Sequence, residues 1–270
     1  MKNAEVKDLI EASLIELLGG EKKFEKSIRG LIKKHKGKTH FTPIKYRVLG
    51  GFLQSLNIKF GNFIEILLTK IINQQESKDS ETIGELSGKK DIYLELEKDC
   101  EREIDNYVNH HIEYSEKEFN KLIDLIFKNQ NDDNLIFSKE MGDVDLILKN
   151  KEGKYYYVEL KYNDDHDTGK FKDINRKFLK TFAGLVRKLK IKNKSKFIPI
   201  LYYFNQHTRY NNKFLEEHVN IMRSRELFDK LKLDITFQEI ETILLKISED
   251  SEEEFDKIRE KIFKKVKELD

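Results

Sequence analysis

Two short apolar runs separated by a turn constrain this chain more than any other feature. Val144-Asp145-Leu146-Ile147-Leu148 and Tyr155-Tyr156-Tyr157-Val158-Glu159-Leu160-Lys161 have the branched and aromatic texture of strands, yet both carry charge within them. Between them, Lys151-Glu152-Gly153 has the form of a three-residue hairpin loop with glycine in the left-handed position. That loop sets the register. If Asn150 faces Lys154, Asp145 falls opposite Glu159 on one face of the sheet, and Lys161, two residues further on, points the same way. Opposed strand positions hold their Cβ atoms about 4.5–5.5 Å apart. Two carboxylates at that spacing repel, and the flanking Leu146, Leu148, Val158 and Leu160 signal burial, so the arrangement calls for a cation. Mg²⁺ suits it better than zinc because the motif contains no His or Cys. The competing reading is an edge hairpin with a solvated polar face.

Glu-x-Lys alone carries no weight in a chain that is 37% charged, and it recurs at Glu5/Lys7, Glu21/Lys23, Glu76/Lys78 and Glu152/Lys154. Only Glu159/Lys161 lies on an apolar strand paired with a second acid.

Helical spacing precedes this region. Val6, Leu9, Ile10, Leu14 and Leu17 define a helix ending at Gly19-Gly20, and Phe24, Ile28, Leu31 and Ile32 define another running to Gly37. Phe60, Phe63, Ile64, Leu67, Leu68, Ile71 and Ile72 form a broad stripe with Glu65 at its edge. The stretch 75–134 is less legible, with helices around Cys100–Val108 and Glu116–Phe127. Strands are expected at Leu135-Ile136-Phe137, across the two runs above, and at Phe197–Phe204. Between the last two lies a long helix with Phe171, Ile174, Phe178, Phe182, Leu185 and Leu189 on its inner face. A strand near Ile235–Phe237 and a closing helix with Phe255, Ile258, Ile262 and Val266 inside complete the pattern. The expected class is α/β (α+β): a central mixed sheet flanked by helices in the order αβββαβ. No linker divides the chain, so one domain is expected over 1–270, with a mainly helical region over 1–130, a catalytic core over 131–245 and a C-terminal helix over 246–270.

The single Cys100 excludes an intramolecular disulfide and a Cys-rich zinc site, so any metal is held by oxygen. A charged N-terminus and the lack of a bilayer-length apolar run point to the cytoplasm. The net charge of +2 conceals two basic blocks: ten Lys/Arg against two Glu from Glu21 to Arg47, and eleven against Asp173 from Lys170 to Lys196. Each is a candidate phosphate-facing surface, or simply a solvated helix face. Lys172, Arg176 and Lys180 recur every fourth residue, a spacing that can track a phosphate backbone, and Lys170 and Lys177 lie in the same block. Arg209, Arg223 and Arg225 follow the last long strand, where base-reading arginines could sit.

The residues Gly142-Asp143-Val144-Asp145-Leu146-Ile147 and Tyr157-Val158-Glu159-Leu160-Lys161 resemble the PD-(D/E)xK nuclease signature, with Val144 in place of the usual proline. The continuation Asn163–Lys170 and Asp173–Phe178, together with Asn57–Glu65, resembles type II restriction endonucleases in particular. The resemblance implies Mg²⁺-dependent cleavage of double-stranded DNA to 5′-phosphate and 3′-hydroxyl ends by a homodimer, alongside a cognate DNA methyltransferase. It also implies metal ligation by Asp145, Glu159 and the Leu160 carbonyl, with Lys161 and Glu65 in the catalytic set. Asp143 shares the Asp145 face and is the alternative ligand. His166 reads as a surface or DNA-contacting residue. A structure-specific repair or Holliday-junction nuclease, or a binding protein with a decayed core, are the other readings.

Overall fold

The computed structural model describes residues 7, 8, 10, 20–74, 80–111, 113–164, 168–208 and 212–269. The helix expected over Val6–Leu17 lies almost wholly outside these residues. Two compact units divide the chain: Met1–Leu67 with Ile235–Asp270, and Leu68–Asp234.

The first unit contains α1 (Gly20–His35), most of α2 (Ile44–Gln74), α7 (Phe237–Asp250) and α8 (Glu252–Leu269). Its core joins Ile28 and Ile32 of α1, Val48 and Phe52 of α2, and Ile262 and Val266 of α8. Phe255, expected inside the closing helix, is instead 46% exposed. Helix α7 replaces the strand expected at Ile235–Phe237. Thr236 caps it with a reciprocal box, its hydroxyl accepting from Glu239 N at 3.2 Å while the Glu239 carboxylate accepts from Thr236 N at 2.8 Å.

The second unit is built on a five-stranded mixed sheet in the order β1-β4-β5-β6-β7, composed of Ser80–Thr82, Leu146–Asn150, Tyr155–Lys161, Phe197–Tyr203 and Ile221–Arg223. β1, β4 and β5 are antiparallel, whereas β5, β6 and β7 are parallel. A separate ribbon pairs β2 (Lys89–Glu97) with β3 (Phe137–Val144). Helices α3 (Lys98–His110), α4 (Glu116–Gln130) and α5 (Thr168–Lys188) enclose the main core, and α6 (Arg225–Leu231) follows β7. Phe178 and Phe182 of α5 meet Tyr157 and Phe197 of the sheet in that core. The central mixed sheet flanked by helices agrees with the fold class read from the sequence. β1, β2 and β7 were not anticipated, being very short or lying in the illegible stretch, and the strand expected at Leu135–Phe137 instead begins at Phe137 and runs as β3 to Val144.

Two contacts fix this unit. Gly184 of α5 lies so close to the ribbon that a Cβ there would sit 2.7 Å from Leu94 Cβ. At the C-terminal ends of the parallel strands, Arg223 bonds Asp164 at 2.5 Å and Glu217 at 2.9 Å, with its guanidinium over the Tyr203 ring. Arg223 and Asp164 are both buried, so either charge alone would be costly.

Gly184→Ala is expected to destabilise by about 1–3 kcal/mol, despite alanine's helix preference of about 1 kcal/mol, because the backbone approach leaves no space for a methyl group. Arg223→Ala is expected to cost about 3–5 kcal/mol by stranding Asp164. Urea unfolding measures both, and a stabilised Gly184→Ala would contradict the close approach.

Candidate active site

The turn chemistry of the β4–β5 hairpin positions the site. Gly153 takes φ +70°, Gly153 N donates to Asn150 O, and Asn150 N donates to Lys154 O at 2.9 Å. The ladder then runs Lys149↔Tyr155, Leu148↔Tyr156, Ile147↔Tyr157 and Leu146↔Val158, the register expected from the sequence. One further step brings Asp145 level with Glu159. Asp145 occupies the single residue between β3 and β4, where the chain passes from ribbon to sheet, and its carbonyl accepts from Gly88 N at 2.9 Å. Strand alternation sends Tyr157, Glu159 and Lys161 to one face of β5.

Asp145 and Glu159 are both buried. Glu159 Oε2 accepts from the Tyr157 hydroxyl at 2.7 Å, and Glu159 Oε1 accepts from Lys161 Nζ at 2.6 Å. Asp145 Oδ2 accepts from Leu160 N at 2.9 Å, and Asp145 Oδ1 accepts from Lys90 Nζ at 3.3 Å. The Lys161 ammonium therefore marks a point of oxygen convergence: Glu159 Oε1 at 2.6 Å, Leu160 O at 3.0 Å and Asp145 Oδ2 at 3.9 Å. Burial works against the lysine charge, but Glu159 and then Asp145 outweigh it and hold the Lys161 pKa above its ordinary value. For Tyr157, burial followed by the Glu159 and Asp145 charges pushes the phenol pKa well up, keeping it a neutral donor.

Two carboxylates and a main-chain carbonyl around one cationic position form an all-oxygen donor set that fits Mg²⁺, which is commonly bound by one or two carboxylates and otherwise by water and phosphate. Among the described residues, no three His, Cys, Asp or Glu side chains gather as a metal cluster. Asp143, the alternative ligand, is engaged elsewhere: it accepts from Lys177 Nζ at 2.9 Å and from Asp91 N at 3.1 Å, and these bonds hold its carboxyl pKa low.

Most of the remaining candidates are engaged in contacts of their own. Glu65 is half-buried on α2 in the first unit. Arg176 binds Asp105 and Asp173, and Lys180 binds Glu101 and Asp105. Lys172 donates to Asn109 O, so the every-fourth-residue spacing on α5 lies along a seam with α3. Lys170 and Arg225 are exposed, and Arg223 lies in the buried clasp with Asp164. Arg209 and His166 fall outside the described residues. Lys90 and Tyr157 were not singled out from the sequence. Tyr157 carried a usable signal, the two-residue period it shares with Glu159 and Lys161, whereas nothing near Lys90 in the chain announces its contact with Asp145.

A family model described as "Type II restriction endonuclease, HinfI" matches residues 2–248. The "Type II restriction enzyme HinfI" of Haemophilus influenzae is 39% identical over 267 residues, covering 96% of this chain and 98% of that protein. With a match extending far beyond the hairpin and over nearly the whole length of both proteins, the chain belongs to the HinfI family of type II restriction endonucleases.

Proposed function

We propose that this restriction endonuclease cuts double-stranded DNA at a specific sequence in the cytoplasm, using Mg²⁺ held by Asp145, Glu159 and the Leu160 carbonyl, and leaves 5′-phosphate and 3′-hydroxyl ends. The observation that carries this reading is the convergence of those three oxygens on the Lys161 ammonium. A bound Mg²⁺ supplies charge to polarise the phosphate and acidify the attacking water. Lys161, kept protonated by its neighbours, acts as a donor that orients the water and offsets charge growing on the phosphate oxygens. Tyr157 fixes the second oxygen of Glu159, leaving Oε1 directed into the site. Leu160 N holds Asp145 Oδ2 in the same way. One such centre per chain acts on one strand, which favours a homodimer for double-strand cleavage, and a matching methyltransferase would protect the host's own copies of the sequence.

Plasmid of known sequence incubated with Mg²⁺ should give discrete bands with the intact protein. Asp145→Ala, Glu159→Ala and Lys161→Ala should each slow cleavage by roughly 10²-fold or more. Wild-type banding at an undiminished rate in any of them would remove that residue from the site, and random nicking by the intact protein would favour a repair nuclease.

Chelation should stop cleavage while leaving the near-ultraviolet circular dichroism unchanged, because Lys161 and Lys90 already balance the two carboxylates. Loss of the folded signal on chelation would make the metal structural instead.

A further inference from the structure

Lys90 belongs to none of the residues that the nuclease signature accounts for, yet it reaches the site from a different sheet. It stands at the start of β2, where the pairing with β3 shifts register between Lys89 and Ile92. Asp91 there adopts φ 54°, a left-handed conformation uncommon outside glycine, though aspartate is among the residues that tolerate it best. Hydrogen bonds hold it on both sides. Asp143 accepts from Asp91 N at 3.1 Å and is itself held by Lys177 at 2.9 Å, while Gly88 N bonds the Asp145 carbonyl at 2.9 Å. The bulge is thus pinned on both sides of Lys90, and the result is an ammonium 3.3 Å from Asp145 Oδ1.

The charge balance indicates what this ammonium does. Asp145 and Glu159 carry two negative charges, matched by Lys161 and Lys90. A divalent ion held there would bring two positive charges of its own and make both ammoniums redundant on the carboxylates. Lys161 is held at 2.6 Å by Glu159 with its side chain 25% exposed, whereas Lys90 sits at 3.3 Å from Asp145 with its side chain 50% exposed. The Lys90–Asp145 contact is the longer and the more solvated of the two. A DNA phosphate drawn to a cation held by Asp145 would lie close to that carboxylate, and so within reach of the Lys90 ammonium.

We propose that Lys90 is a phosphate-binding residue of the cleavage site: its ammonium rests on Asp145 in the metal-free protein and transfers to a backbone phosphate of the DNA once a divalent cation takes that carboxylate. This rests on the reading of Asp145 as a metal ligand.

The test is equilibrium binding of a duplex fragment carrying one cut site mapped by wild-type digestion, over a range of NaCl concentrations, in Ca²⁺ and separately in EDTA. In Ca²⁺, the slope of log K against log [NaCl] should be shallower for Lys90→Ala than for wild type by about 0.9 per subunit, one phosphate contact, and Lys90→Arg should restore it. In EDTA the slopes should coincide, because Lys90 then sits on Asp145. Equal slopes in Ca²⁺ would overturn the phosphate contact, and an equal difference in both buffers would overturn the transfer. Should Lys90→Ala fail to fold by circular dichroism, Lys90→Gln serves in its place. Wild-type binding that Ca²⁺ does not alter, and that Asp145→Asn leaves unchanged, would overturn the ligand reading beneath the proposal. Ca²⁺-dependent binding lost in Asp145→Asn but unaffected in Lys90→Ala would overturn the Lys90 proposal alone.

Discussion

Two buried carboxylates set level across a β-hairpin are a repulsion built into the fold, and the arrangement around them answers it. Asp145 and Glu159 are held by the hairpin register, which in turn depends on Gly153 and the Asn150–Lys154 closure. A shift of one residue would send one partner to the other face and undo the site. Within the protein the repulsion is met by Lys161 from the same strand and Lys90 from the ribbon, with Tyr157 and Leu160 N bonding oxygens left over. A buried like-charge pair answered by cations is costly as a stability device and well suited to admitting a metal ion.

The scaffold is arranged to hold this point still. β3 passes into β4 through Asp145 with no intervening loop, so ribbon and sheet share the residue proposed as a metal ligand. The aromatic stack of Tyr157 on Phe178 ties β5 to α5, and the absence of a side chain at Gly184 lets α5 approach the ribbon. On the parallel side, the Arg223–Asp164 pair binds the end of β7 to the segment leaving β5. These ties suit the proposed site, since small displacements of catalytic groups are costly in rate.

How much of this could be read beforehand depended on distance along the chain. The hairpin was legible because its turn, its alternation and its charges all lie within about twenty residues, where local rules fix register. The long α5 was legible from its apolar stripe. Lys90 was not, because its bond to Asp145 spans 55 residues and depends on a register shift that no pattern announces. The same limit applies to Lys172, Arg176 and Lys180: their spacing marks one face of α5, but only the fold reveals that Asn109, Asp105 and Glu101 of α3 lie opposite. At Ile235–Phe237 a legible signal was passed over, because Thr236 and Glu239 have capping-box spacing and open a helix where branched and aromatic residues suggested a strand.

The central claim is that Asp145 and Glu159 serve one cation jointly, and a double-mutant cycle on metal binding tests it most directly. Mn²⁺ affinity of the protein bound to its cleaved DNA, followed by electron paramagnetic resonance, would be compared for wild type, Asp145→Asn, Glu159→Gln and the double variant. A shared site predicts that each single change weakens binding by about tenfold or more and that the double change adds much less than the sum, since coupled residues are not additive. Independent, additive effects, or two single variants that bind Mn²⁺ like the wild type, would contradict the account.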